Sequence, residues 1–384
     1  MDGPMSAVKI AVLGAGMVGS AIAADLCREH SVTSVDLDGD RLATLAGRYP
    51  LDTQTADLSD ADAIRRAIAP ADLVIGAVPG FMGFTTLRTV IAAGKNAVDI
   101  SFFDEDPFEL DALARERGVT AVMDCGVAPG LSNMILGYHA GRMKVARFRC
   151  LVGGLPARRS WPWQYKAPFS PIDVLEEYTR PARLVENGVI VTRPALSEPE
   201  LIEVEPVGTL EAFNTDGLRT LLKTTPVPNM VEKTLRYPGH IELVRVLRES
   251  GFLSAEPITV RGTTVRPIDL TAALLFPQWR LGEGEAEFTA LQATVWGQAN
   301  GRDRRYDYRL FDRTDPQTGV SSMARTTGYT CTAVARLVLD GQFTRRGICP
   351  PEYVGADAAC FERVLADLRE HNVIVQRLPG DGIE

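Results

Sequence analysis

The 384-residue sequence has no surplus of positive charge. Forty-one Lys and Arg stand against 49 Asp and Glu, a net charge of −8 with no block of like sign. Binding to phosphate backbone or anionic lipid scales with the number of charges neutralised, so nucleic acid and membrane surfaces are disfavoured as partners. No apolar run approaches the 18 or so residues that a spanning helix needs. Cysteines are few: Cys27, Cys125, Cys150, Cys331, Cys349 and Cys360 show no CxxC spacing and lie mostly inside apolar runs. They read as reduced, buried thiols, and no disulfide framework or metal site is expected. There is no internal repeat and no low-complexity stretch. The first nine residues hold Asp2 and no apolar leader core, so no secretory signal is read and the cytoplasm is the expected location.

What is present is ordinary globular material, 45% hydrophobic and 23% charged, in a chain long enough for two or three domains. Residues 1–124 alternate β-rich apolar runs with helical patterns. Strands are expected at Lys9–Leu13, Val32–Val35, Thr53–Ala56, Leu73–Ala77, Asn96–Ile100 and Val119–Met123, and helices at Met17–Glu29, Gly39–Arg48, Ser59–Ile68, Phe84–Ala93 and Pro107–Arg117. Six strands with five crossovers predict a doubly wound α/β fold, a parallel-sheet Rossmann domain. After Asp124 the alternation lengthens at Arg147–Val152, Phe288–Val295 and Arg305–Phe311, which predicts a second, mixed-sheet α/β domain. Helices at Ser321–Leu339 and Ala358–Asn372 and a strand at Val373–Leu378 close the chain.

The segment Gly14-Ala15-Gly16-Met17-Val18-Gly19 sits directly between the first strand and its helix. A bare GxGxxG is a weak signal, but here strand, turn and helix are all in place. Gly14 would make the turn, Gly16 would admit a diphosphate to the backbone, and Gly19 would let helix pack on strand. Asp36 ends the second strand 22 residues after Gly14. A carboxylate there would accept ribose hydroxyls and repel a 2′-phosphate, so NAD is favoured over NADP, although Asp38 and Arg41 stand close by. Met17, Val18, Asp57, Ala77, Val78, Pro79, Ser101, Asp124 and Gly126 complete the expected cofactor-binding set. A generic tight turn for the glycines, a solvated strand end for Asp36 and a helix N-cap for Asp57 are the structural alternatives.

The sixth strand runs into Asp124-Cys125-Gly126-Val127-Ala128-Pro129-Gly130-Leu131-Ser132-Asn133, dense in small residues. Here the sequence resembles the saccharopine dehydrogenase-like family, its lysine 6-dehydrogenase branch most closely. The resemblance continues through Val152–Pro156, Leu210–Thr215, Lys233–His240, Met323–Thr326 and Arg346–Glu352. It implies a Rossmann domain built from both chain ends, residues 1–124 plus about 330–384, and an inserted domain, residues 125–329, that holds substrate and pairs subunits as a homodimer. It also implies NAD-dependent oxidation at the ε-carbon of L-lysine, giving 2-aminoadipate 6-semialdehyde and ammonia once the imine is hydrolysed. Saccharopine-type relatives tend to carry Asp-Pro-Gly where this chain has Ala128-Pro129-Gly130, which points to the lysine branch.

An ammonium cannot donate hydride, and with an ordinary lysine pKa of about 10.4 a base or a desolvated pocket must remove its proton first. The family-like segments offer His240 as a base, Arg236 for a carboxylate, Glu211 for an ammonium and Lys166 as a proton acceptor if buried. Tyr165, Asn214, Thr215 and Asn133 are the expected substrate-binding residues. Arg236 and His240 flank Pro238-Gly239, which predicts a loop with both side chains free to converge. A packed Arg, a hydrogen-bonded loop histidine and a surface Glu are the bland alternatives. The cluster Trp161-Pro162-Trp163-Gln164-Tyr165 departs from the branch pattern and would serve as substrate wall, hydrophobic lid or subunit contact. Two other functions stay open: a dehydrogenase of secondary amines, saccharopine-type or opine-like, and a non-catalytic NAD-binding sensor.

Overall fold

The computed structural model describes residues 8–167, 171–282 and 284–378; most of the segment read as free of a secretory signal lies outside them. The chain divides into two compact units, Met1–Gly141 with Ala324–Val373, and Arg142–Met323 with Ile374–Glu384. The first holds a parallel sheet of β1 (Lys9–Leu13), β2 (Ser31–Asp36), β3 (Asp52–Thr55), β4 (Leu73–Gly76), β5 (Asn96–Asp99), β6 (Thr120–Val122) and a seventh strand, Gly347–Cys349. From one edge the order is seventh, β6, β5, β4, β1, β2, β3. Strands β1 and β4 read as continuous apolar runs because helices cover both their faces, whereas edge strand β3, Asp-Thr-Gln-Thr, is largely exposed. The doubly wound fold is as expected. The seventh strand was not anticipated: three residues carry no period, and tertiary pairing makes it, Gly347 to Cys349 lying beside Thr120 to Val122.

Asp38, Asp60, Asp106 and Asp357 each start a helical segment by accepting backbone N–H groups of its first turn. Helix Leu131–Ala140 begins inside the range expected for the second domain and belongs to the first unit. It crosses helix Pro351–Ala356 at two glycines. A Cβ on Gly137 would stand 2.1 Å from the Glu352 carbonyl oxygen, and one on Gly355 would stand 2.1 Å from that of Met134. Asp25 is buried between Arg336 (3.0 Å) and His371 (2.6 Å), tying three helices of this unit together.

The second unit is built on β7 (Lys144–Pro156), β8 (Ala182–Glu186), β9 (Val189–Arg193), β10 (Glu200–Val204), β11 (Gly208–Asn214), β12 (Met230–Arg236), β13 (Ile258–Val260), β14 (Thr263–Val265), β15 (Glu287–Ala299) and β16 (Arg302–Arg313). One mixed sheet runs β10-β11-β12-β7-β15-β16 and ends on the strand Val375–Leu378, with β8 and β9 branching from β12. That last strand, expected with the Rossmann domain, pairs instead with β16, Asp307 opposite Leu378. Its four residues carry no mark of which sheet they join. The β15–β16 pairing is long and unbroken, and alternate β15 residues from Leu291 onward point inward.

All six cysteines are free and buried, and among the described residues no helix is long and apolar enough to cross a membrane. At the helix crossing, Gly355→Val forces two backbones apart. It should cost roughly 3 kcal/mol and lower Tm by roughly 6–10 °C in thermal denaturation. A Tm within 2 °C of wild type would contradict the packing described.

Candidate active site

The glycine turn is set by backbone contacts. Gly14 has φ +107°, and a Cβ on it would lie 2.3 Å from the Ala77 carbonyl oxygen; a Cβ on Gly19 would lie 2.1 Å from that of Gly14. Nothing stands within 4 Å of a Cβ built on Gly16, which is the N-cap of helix Met17–Leu26 and receives no side-chain cap. Gly14 and Gly19 therefore close the strand–turn–helix, and Gly16 leaves open space before uncapped N–H groups, the setting that suits a diphosphate. Asp36 accepts the Ala15 N–H at 2.6 Å and the Asp38 N–H at 2.9 Å. Around the turn, Met17, Leu37 and Phe81 expose apolar side chains. Val78 is buried, and Pro79 precedes helix Gly80–Ala92. Asp57 is exposed and accepts the N–H and hydroxyl of Ser59, which hold its carboxyl below the usual range; the helix that follows is capped by Asp60. That local bonding accounts for Asp57 without a cofactor.

At the ends of β5 and β6 lies a buried group that sequence reading missed. Asp99 is 1% exposed, and its carboxylate fills the space where Gly76 would carry a Cβ. It accepts the Ser101 N–H at 2.7 Å, and its carbonyl accepts the Cys125 N–H at 2.9 Å. Burial, with the nearby Asp124 charge adding, pushes its carboxyl up to about 8, so it holds its proton at neutral pH. An aspartate closing a strand carries no sign of this in sequence; the only hint is a glycine on the neighbouring strand. Asp124 is buried at φ 52°, and Ser101 is buried beside Asp99. Beyond them, a Cβ on Gly130 (φ +131°) would lie 1.8 Å from the Gly126 carbonyl oxygen, so the loop closes on itself. Asn133 is 1% exposed; it accepts the Gly130 N–H and donates to Glu352 at 3.2 Å. Both ends of its amide are engaged within the first unit.

In the second unit Arg236 and His240 do converge, on Tyr178. The expectation of a free loop is corrected: His240 begins helix His240–Glu249 and is fully buried, as is Arg236. Arg236 Nε donates to Tyr178 Oη at 3.1 Å, while Nη2 pairs with Glu177 at 2.6 Å and its guanidinium lies 4.4 Å over the Tyr165 ring. The Trp163 carbonyl can only accept, so His240 Nδ1 is its donor at 2.9 Å; Nε2 then accepts from the Tyr178 hydroxyl, also at 2.9 Å. Both ring nitrogens are committed, and burial beside the Arg236 charge drives the imidazole down to about 3. His240 is a neutral structural imidazole rather than a base poised near neutrality. Trp279 packs edge-on against Tyr165 and Tyr178, completing an aromatic cage around this chain of bonds.

The remaining expected residues lie around that cage. Glu211, opposite Arg236 in the β11–β12 pairing, accepts the Gly239 N–H at 3.2 Å. Lys166 is only partly buried and donates to the Arg280 carbonyl, with Glu285 at 3.8 Å. Asn214 donates to Ser197 and Glu198, and Thr215 donates to Glu232, which burial pushes up to about 8. Of the aromatic loop, Trp163 packs on Trp279 and Trp161 is 84% exposed.

A doubly wound sheet whose first turn offers an open, glycine-lined helix start defines a nucleotide-binding oxidoreductase fold. Residues 10–122 match the saccharopine dehydrogenase NADP binding domain and residues 126–374 the saccharopine dehydrogenase C-terminal domain, so the chain belongs to the saccharopine dehydrogenase family. It is similar to the saccharopine dehydrogenase (NADP(+), L-glutamate-forming) of Pyricularia oryzae, 24% identical over 376 residues that cover 77% of this chain and 82% of that one. It is also similar to the carboxynorspermidine synthase of Vibrio alginolyticus, 22% identical over 80% of this chain and 79% of that one. Among solved structures, the apo saccharopine dehydrogenase (L-Glu forming) of Saccharomyces cerevisiae shares the fold with a TM-score of 0.78 at 19% identity, covering 97% of this chain and 99% of that one. The homospermidine synthase of Legionella pneumophila, solved with NAD, gives 0.67 at 12%, covering 97% and 92%.

Two outcomes test these assignments. With Asp99 protonated in the native state and ionised in the unfolded chain above its ordinary 3.8, stability falls as pH rises from about 4 to about 8. Asp99→Asn removes that contribution, so the Tm difference, variant minus wild type, should climb between pH 5 and 8 and level off above; equal slopes would mean an ionised Asp99. Arg236→Met takes a fully buried charge away from the partly buried Glu177 and should cost roughly 3 kcal/mol in denaturant unfolding, partly recovered by adding Glu177→Gln. Unchanged stability would contradict the buried pair.

Proposed function

We propose that this chain is an NAD-dependent dehydrogenase that oxidises the ε C–N bond of L-lysine or a close analogue, releasing 2-aminoadipate 6-semialdehyde and ammonia. The observation that carries the reading is the open ground at Gly16, lined by uncapped N–H groups and flanked by the Asp36 carboxylate. Those residues suit a dinucleotide: the turn and helix start would take the diphosphate, and Asp36 the adenosine ribose. When bound, the dinucleotide supplies the hydride acceptor. Leu37 and Phe81, exposed beside the turn, offer apolar surface for a flat ring. Asp99, neutral and fixed by Ser101, would hold the Asp124–Gly126 backbone at the ends of β5 and β6.

His240 is the only histidine among residues 142–323, and it has no free nitrogen, so we assign the substrate's proton to water or a carboxylate. Arg236, Tyr165, Tyr178 and His240 act as the rigid support of the substrate domain. The substrate is a small amine or amino acid. The homodimeric assembly and the cytoplasmic location rest on the resemblance and on composition.

A second reading, oxidation of the secondary amine of saccharopine, has in its favour the activity named for the Pyricularia and yeast relatives. Ala128, where the resemblance leads one to expect Asp in saccharopine-type members of the family, favours lysine. Reduced-nicotinamide absorbance followed with lysine, with saccharopine, and with 2-oxoglutarate plus lysine separates the two; tight NAD binding with silence towards every amine would leave a sensor. Gly16→Val separates cofactor binding from folding. Tm should stay within about 2 °C of wild type while NAD affinity falls at least tenfold, because a Cβ at this position has no protein atom within 4 Å and the side chain would grow into the diphosphate ground. Unaltered affinity would sink the cofactor assignment.

A further inference from the structure

The residues that follow β2 form a graded set of charges. Asp36 is bound to the backbone by both oxygens, Oδ2 to Ala15 and Oδ1 to Asp38. Its carboxylate is part of the glycine turn; removing it orphans the Ala15 N–H and damages the seat of any dinucleotide. Asp38 is placed otherwise. Its Oδ1 caps helix Gly39–Arg48 by accepting the Asp40 and Arg41 N–H groups, each at 3.1 Å, and its Oδ2 pairs with Arg41 Nε at 3.0 Å. Arg41 is the only cation between Ser31 and Gly47, and Asp38 its one side-chain partner among the described residues.

An exposed guanidinium five residues beyond the end of β2 is the group that would receive a ribose 2′-phosphate, and arginine suits phosphate through paired N–H donors. We propose that Asp38 sets the choice between NAD and NADP, by occupying Arg41 and adding negative charge where a 2′-phosphate would come. Resting on the dinucleotide reading above, this accounts for a chain that matches an NADP binding domain and yet carries Asp36. Asp36, Asp38 and Asp40 against Arg41 leave two negative charges; with Asp38 neutral, one remains and the guanidinium is released. The pair's side chains are 60% and 42% exposed, so the latch is weak and screened by salt, and a single substitution opens it.

Asp38→Asn keeps an oxygen acceptor at the cap and removes the charge. Titration calorimetry on the full chain with NAD(+) and NADP(+) should give about fivefold to tenfold tighter NADP(+) binding at low salt, shrinking as salt rises, with NAD(+) changed less than about twofold. Asp38→Ser, another good cap, should behave alike. Adding Arg41→Ala to Asp38→Asn should abolish the gain. The proposal is overturned if Asp38→Asn leaves NADP(+) affinity unchanged, or if the gain survives without Arg41. Wild-type chain that binds neither dinucleotide would fail the cofactor reading itself, a result distinct from either of those.

Discussion

Three backbone segments meet at less than side-chain distance, the end of β1 at Gly14, the start of its helix at Gly19, and the end of β4 at Ala77. Everything proposed for the first unit follows from that closeness. Because Gly14 and Gly19 are consumed in making it, the helix start is drawn against the sheet with its N–H groups uncapped, and Gly16 faces open space. Asp36 then locks the arrangement by accepting the N–H of Ala15, inside the turn itself. One steric constraint thus yields a place of positive potential with a carboxylate at its side, which is the electrostatic shape of a dinucleotide.

The second unit depends on a different kind of constraint, a buried charge that must be satisfied. Arg236 is held by Glu177, Tyr178 and Tyr165, and Tyr178 passes the chain of hydrogen bonds to His240 and so to the Trp163 carbonyl. Such a network is costly to form and more costly to leave incomplete, so it fixes helix, strand and aromatic loop in one arrangement. Its members look in sequence like an active site because they are polar and clustered. In the fold they are a frame whose members hydrogen-bond chiefly to one another, with both nitrogens of His240 committed.

The Rossmann fold was legible because its signals are local and repeated: apolar runs of strand length, helical patterns between them, and a glycine turn in its proper setting. Gly347–Cys349 and Val375–Leu378 were not legible as to partner, since three or four residues carry no period and pairing is decided by the sheet edge available. Helix His240–Glu249 was misjudged because Pro238-Gly239 signals a loop, whereas Gly239 at φ +94° is the helix's N-cap. Asp99 was invisible for a related reason. Its character comes from Gly76, on another strand, leaving room for its carboxylate, and from burial that no linear pattern records. Residue types were readable from sequence; whether a polar group was already partnered was not.

The central claim is that hydride leaves an amine-bearing carbon for a dinucleotide seated on the glycine turn. Incubating the chain with NAD(+) and lysine deuterated at the ε-carbon, then weighing the reduced nicotinamide by mass spectrometry, tests it most directly. The account predicts one deuterium per reduced ring. Reduced cofactor without label, or no reduction with lysine or with saccharopine, would contradict it.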